Sequence, residues 1–136
     1  MSRGLTSVAL GLVCGVSFLV SPLMIFRAEW VVRTTGALAP NEKFHPIAKR
    51  FLVAFEMTAL CLATLGARAC AFGTASERVF WTKMIAVPCA SLCTSLSVFG
   101  YEKGHQFYGK NAGAKAFGVM TALLLLGGVV YPERDM

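Results

Sequence analysis

The chain has 136 residues, of which 56% are hydrophobic and only 15% are charged, with a net charge of +6 and a mean hydropathy of +0.63. A soluble domain of this size has too small an interior to bury so much apolar surface, so the composition argues against a soluble protein. The basic residues are spread between apolar runs and form no patch with interleaved aromatic side chains. We therefore expect no nucleic-acid partner.

Four apolar segments reach the length of about 20 residues that a membrane-spanning helix needs. They cover approximately residues 5–26, 51–73, 79–101 and 112–131. The first follows Arg3 and resembles a signal peptide, but it is long enough to span, so we interpret it as a retained anchor. The sequence thus predicts a single domain over residues 1–136, an all-α integral membrane protein folded as a four-helix transmembrane bundle.

The basic residues also predict an orientation, since lysine and arginine in short loops favour the cytoplasm-like side. The loop 27–50 carries five of them, and the third loop, 102–111, carries Lys103 and Lys110. We therefore expect both chain termini on the side opposite the basic 27–50 loop.

Small residues recur four positions apart within the predicted helices, a spacing that places them on one helix face. In membranes such faces allow two backbones to approach closely, so we predict helix packing through them. The predicted packing residues are Gly11, Gly15, Ala59, Ala63, Ala67 and Gly118.

Two ionisable residues, Glu56 and Arg68, lie inside the second predicted helix. Twelve positions correspond to about 18 Å along a helix, so the two cannot pair with each other. Lys115 enters the fourth predicted helix from the same membrane side as Glu56. We therefore predict an intramembrane charge pair of Glu56 with Lys115, and we expect Arg68 to extend toward the headgroups.

The long first loop carries a basic rim that suits anionic lipid, including cardiolipin. The predicted lipid-headgroup contacts are Arg27, Arg33, Lys49 and Arg50 in this loop, together with Arg68. Ordinary orienting charge is the alternative interpretation of the same residues.

Neither the histidines nor the cysteines form a pattern typical of a redox or metal centre. His45 and His105 fall in loops, where they cannot ligate a haem between facing helices. Cys89 and Cys93 follow Pro88 with a spacing of four inside a helix, where a thiolate is disfavoured and disulfide geometry is poor. We expect no catalytic residues, no metal and no cofactor.

These features favour a non-catalytic accessory or structural subunit of a multi-subunit membrane energy-conversion complex. A respiratory-type assembly of the mitochondrial inner membrane is the expected setting, with other transmembrane subunits and phospholipids as partners. The alternative is a small proton- or ion-coupled transporter or channel using Glu56. A membrane thiol oxidoreductase using Cys89 and Cys93, or a subunit of a photosynthetic complex, are weaker alternatives.

Overall fold

The computed structural model of the chain describes residues 4–34, 41, 43–99 and 112–134, and every regular element in this part is a helix. The elements are α1 (Leu5–Phe26), α2 (Ala28–Thr34), α3 (Pro46–Phe72), α4 (Ala75–Phe99) and α5 (Ala112–Leu125), which continues into a π turn (Leu126–Val130). The all-helical prediction is therefore confirmed. The predicted third loop and the last residues of the third predicted span lie outside the described residues.

Three of these segments are long and apolar enough to cross a membrane: α1, α3, and the stretch Gly113–Val130 of α5 and its π turn. Over its described residues α4 is not among them. Charged residues occupy the first third of α4 and hydroxyl residues its second half, which lowers its apolar content. The four predicted segments are thus helical where they are described, and three of them have the apolar content of a span.

Helix α3 begins at Pro46 rather than at residue 51, because local capping overrides the hydropathy pattern. Proline suits the first helical position, since its fixed φ is helical and its missing N–H would have no helical partner there. The imidazole of His45 accepts a hydrogen bond from the backbone amide of Ile47, with 3.2 Å between Nδ1 and N. His45 is therefore the N-cap of α3.

Helix α4 begins at Ala75, directly after a two-residue connection. The Thr74 hydroxyl accepts from the Glu77 amide at 3.2 Å, while the Glu77 carboxylate accepts from the Thr74 amide at 2.9 Å. This reciprocal capping box satisfies two amides that would otherwise lack partners at the helix start. A Cβ on Gly73 would stand 2.6 Å from the Ala69 carbonyl oxygen, so the tight connection requires glycine.

Helix α2 lies within the stretch 27–50 that the sequence analysis predicts as a loop, and this part of the prediction is wrong. Three apolar residues of α2, Ala28, Val31 and Val32, are buried against the bundle. On the outer face Glu29 and Arg33 form an ion pair with 3.0 Å between nitrogen and oxygen, one turn apart. Such a short helix escapes detection by a criterion that looks for segments of about 20 apolar residues.

Helices α1 and α4 occupy the centre of the bundle. α1 packs along α3, α4 packs along α5, and α1 and α4 contact each other, whereas over the described residues no Cα atom of α3 lies within 8 Å of a Cα atom of α5. The buried core is built from all four long helices: Ala9, Leu10, Val13, Cys14, Ala63, Ile85, Ala86, Cys89 and Leu124. The cross-section is therefore a rhombus with α3 and α5 at its far corners.

The bundle has two ends with different chemistry. At the tail end, the first turn of α1, the α3–α4 connection and the C-terminal residues 131–134 meet. At the elbow end, α1 turns into α2 beside the start of α3.

Candidate functional site

A polar network holds the tail end of the bundle together. The Glu133 carboxylate pairs with the Arg78 guanidinium at 2.6 Å, and its other oxygen accepts hydrogen bonds from the backbone amide and the hydroxyl of Ser7. Arg78 also donates to the carbonyl oxygen of Gly73 at 2.6 Å. One carboxylate thus links the C-terminal tail to α1 and α4.

The backbone of the tail is held by a second set of contacts. The amide of Glu133 donates to the Thr6 hydroxyl at 2.9 Å, and this hydroxyl donates to the carbonyl oxygen of Gly127 in the π turn. Burial raises the pKa of Glu133, but the hydrogen bonds from Ser7 and Arg78, with the charge of Arg78, lower it by more. The pKa of Glu133 therefore lies below its usual range, and the carboxylate is charged at neutral pH.

Glu56 is buried in α3, with only 7% of the residue exposed. Its predicted partner Lys115 is exposed on α5, and over the described residues no ion pair joins the two side chains. The Glu56 carboxyl instead accepts a hydrogen bond from the Ser21 hydroxyl of α1, next to Pro22. The predicted Glu56–Lys115 pair is therefore not formed, because Glu56 faces α1.

The predicted lipid contacts separate into two groups. Arg27, Arg33 and Lys49 line one open groove of about 390 Å³ at the elbow end, whereas Arg50 and Arg68 are exposed outside it. We call this cavity the elbow groove, and over the described residues its lining is Phe26, Arg27, Ala28, Glu29, Trp30, Arg33 and Lys49. The fold thus brings three of the five cations together with an exposed tryptophan.

The predicted packing residues of α3 and α5 lie toward the interior to different extents. Ala63 belongs to the buried core, Ala67 packs against that core, and Ala59 is half-buried. A Cβ on Gly118 would stand 3.3 Å from the Sγ of Cys93, so α4 and α5 approach closely there.

The predicted glycine pair of α1 does not bring two helices of the chain this close together. Gly11 and Gly15 are both exposed, and a Cβ on Gly15 would meet nothing within 4 Å. A close contact between helices occurs instead at Gly66 of α3, where a Cβ would lie 2.8 Å from the Cys14 Sγ and from the Ile85 Cδ1. The packing of α1, α3 and α4 thus depends on a glycine that sequence reasoning missed.

All five cysteines are thiols rather than disulfides. Cys89 is buried and Cys93 half-buried, both on α4. Over the described part of the chain, no group of three or more histidine, cysteine, aspartate or glutamate side chains is arranged to hold a metal ion. His45 serves as a helix cap, and His105 lies outside the described residues.

The second half of α4 presents a face of small and hydroxyl residues to the outside. An open groove of about 530 Å³ on this face, which we call the α4 outer face, is lined by Val87, Ala90, Ser91, Thr94 and Ser95. The hydroxyls of Ser91 and Thr94 each donate to a backbone carbonyl oxygen one turn earlier, at 2.9 Å. The hydroxyl hydrogens of Ser91 and Thr94 are thereby bonded within the helix, which lowers the polarity of this surface.

Sequence reasoning missed the tail network, although its charged members carry a recognisable signal. Arg78 and Glu133 have opposite charges and lie at two short polar junctions that the four-span prediction places on the same side. That pattern favours an ion pair between Arg78 and Glu133. The roles of Thr6 and Ser7 carry no comparable signal, since isolated hydroxyl residues are common at the ends of apolar helices.

Comparison of the chain with protein-family models, with curated proteins and with solved structures found no match. Its function is therefore inferred from the geometry described above.

Proposed function

We propose that this chain is an integral membrane protein that crosses the bilayer four times and serves as an accessory subunit of a larger membrane complex. The observation that carries the proposal is the α4 outer face, a small-residue surface on a helix whose neighbours α1, α3 and α5 are strongly apolar. Lipid supplies no hydrophobic force between helices, so close packing of small residues is what binds one membrane helix to another.

The path of the chain supports four crossings. The contact of Ser7 with Glu133 brings the beginning of α1 and the residues after α5 to the same end of the bundle. If α1, α3 and α5 each cross the bilayer, α4 has to cross it as well for this contact to form. With 25 residues at 1.5 Å each, α4 is about 37 Å long, more than the roughly 30 Å of a hydrocarbon core.

The α4 outer face fits a partner transmembrane helix. Ala90, Ser91, Thr94 and Ser95 are too small to cover the α4 backbone, so a second helix could approach it closely. The exposed Gly15 of α1, with open space around it, offers another such position. We propose an energy-converting complex of the mitochondrial inner membrane as the setting, because the basic elbow end suits a membrane rich in anionic lipid.

The proposal is tested by extracting the native membrane in mild detergent, separating the complexes on a native gel and identifying the partners by mass spectrometry. We expect the wild-type chain in a high-mass band with other membrane subunits. Ser91→Leu should release it, because the larger side chain fills the α4 outer face. Thr64→Leu is the matched control, since Thr64 is an exposed residue of α3 whose hydroxyl also donates to its own helix, at 2.8 Å.

Two results would overturn this proposal. A wild-type chain that migrates alone or as a small homo-oligomer has no complex to belong to. Equal loss of the high-mass band in Ser91→Leu and Thr64→Leu would mean that the α4 outer face is not the docking surface.

A small proton- or ion-coupled transporter or channel is the second candidate. It is favoured by Glu56 of α3, whose side chain is buried against α1. A carboxyl at membrane depth that contacts Ser21 beside Pro22 is the kind of group that transporters use. In proteoliposomes this candidate predicts loss of flux in Glu56→Gln and normal flux in the exposed control Glu29→Gln. Unchanged flux in Glu56→Gln would remove its main support.

A further inference from the structure

We infer that the elbow groove binds the headgroup of an anionic phospholipid. The inference rests on the membrane insertion proposed above, because the groove then lies at the level where lipid headgroups begin. The proposed accessory role requires these basic residues only to orient the chain in the membrane. The inference adds that they bind a specific class of ligand.

The position of the groove follows from the local fold. α1 ends at Phe26, and α2 starts two residues later with its apolar side against the bundle. This turn leaves Phe26 85% exposed and Trp30 55% exposed, both in the groove lining. Aromatic rings at the end of a membrane helix prefer the interface, where they contact acyl chains and headgroups together.

The charge of the groove lining favours an anion. Among the described residues, Arg27, Arg33 and Lys49 face the cavity with one carboxylate, Glu29, which leaves two net positive charges in this part of the lining. Glu29 is paired with Arg33, and over the described residues Arg27 and Lys49 form no ion pair. Because these two cations come from the α1–α2 junction and from α3, they can contact a phosphate from two sides.

The same lining selects a lipid over a soluble phosphate ion. A free phosphate would use the cations but would leave Phe26 and Trp30 exposed to water. A phospholipid places its phosphate on Arg27 and Lys49 while its glycerol and upper acyl region cover the aromatic rings. A zwitterionic lipid would bring an ammonium group toward a positive lining, so phosphatidylglycerol or cardiolipin fits better than phosphatidylcholine.

The test reconstitutes the full chain in phosphatidylcholine vesicles that contain a minor fraction of phosphatidylglycerol with brominated acyl chains, and it measures tryptophan quenching. Comparison with Trp30→Phe separates the signal of Trp30 from that of Trp81. We expect Trp30 fluorescence to be quenched well beyond the level that random contact with the brominated fraction of the bilayer would give. Each basic side chain near the surface contributes about a fivefold preference, so Arg27→Gln with Lys49→Gln should return the quenching to the bulk level.

The control variant, Lys83→Gln with Lys115→Gln, removes the same number of exposed charges outside the groove and should keep the enrichment. Equal losses in both double variants, or no enrichment in the wild-type chain, would overturn the lipid site. Displacement of the brominated lipid by millimolar inorganic phosphate would also overturn it, because the groove would then be a phosphate site without lipid selectivity.

The failure of this inference is distinguishable from failure of the proposed function. Vesicle flotation is carried out on the same samples. A chain that does not float with the vesicles is not inserted, which overturns the proposed function itself. A chain that floats but shows no anionic enrichment at Trp30 overturns only the lipid site.

Discussion

At Gly66 of α3, side chains of α1 and α4 pack directly against the α3 backbone. A Cβ there would lie 2.8 Å from Cys14 Sγ and Ile85 Cδ1 and 3.2 Å from Leu10 Cδ1. Gly66→Val should therefore reduce the free energy of unfolding by about 1–3 kcal/mol, the usual cost of overfilling a packed core. The measurement is equilibrium unfolding in detergent micelles, followed by circular dichroism as a denaturing detergent is added.

Gly15→Val is the matched control for Gly66→Val. It places the same side chain on an apolar helix at a position where a Cβ meets nothing within 4 Å. We expect the free energy of unfolding of this variant to change little. If the two variants are equally unstable, the close packing at Gly66 does not determine stability and the cost comes from valine in a membrane helix.

The contrast between Gly15 and Gly66 shows how far residue-level prediction from sequence can go. A spacing of four identifies a small-residue face, and Ala63 was found in this way and lies in the core. The spacing does not say which face meets a neighbour inside the chain. That depends on how α1 and α3 are rotated about their axes, which one sequence does not specify.

At the level of the elements, the Glu133 network ties the tail after α5 to α1 and α4. Glu133→Gln should reduce the free energy of unfolding at pH 7 by roughly 1.5–3 kcal/mol, the range for hydrogen bonds to a charged group. The pKa of Glu133 in the folded state is lowered from its ordinary value of 4.5. The contribution of the network is therefore fully present above pH 4.5 and is lost as the pH falls through the folded-state pKa.

The pH test compares the wild-type chain with Glu133→Gln from pH 7 to pH 3 by the same unfolding titration. The difference between the two should be constant down to about pH 4.5 and should shrink below it, because the wild-type carboxyl then becomes neutral. Glu29→Gln, which breaks an exposed pair, should change stability by less than about 1 kcal/mol at any pH. A difference for Glu133→Gln that does not depend on pH would contradict the role of the charge.

The long helices were predictable because a membrane span requires a long apolar run. The short helix α2 has no such run and was not predicted. The starts of α3 and α4 depend on hydrogen bonds from single side chains, His45 in one case and Thr74 with Glu77 in the other. These signals are visible in the sequence but are weaker than hydropathy. The burial of Glu56 against Ser21 depends on which helix faces α3, and the sequence orders the helices only where connections are short.

For the whole molecule, the decisive question is whether α4 crosses the membrane. The contact of Ser7 with Glu133 requires an even number of crossings, so both termini should be on the same side of the bilayer. The excess of basic residues in the loop 27–50 predicts that this side is opposite that loop. A three-span protein made of α1, α3 and α5 alone would separate the termini.

Terminal epitope tags, together with a protease site inserted between Thr34 and Asn41, distinguish these arrangements in sealed vesicles. We expect the two tags to share the same protease accessibility and the inserted site to show the opposite one, while detergent should expose all three. Tags on opposite sides would mean that α4 lies outside the bilayer, and the tail network could not form. Tags on the same side as the inserted site would mean that α1 does not cross the bilayer, and the four-span arrangement would be overturned.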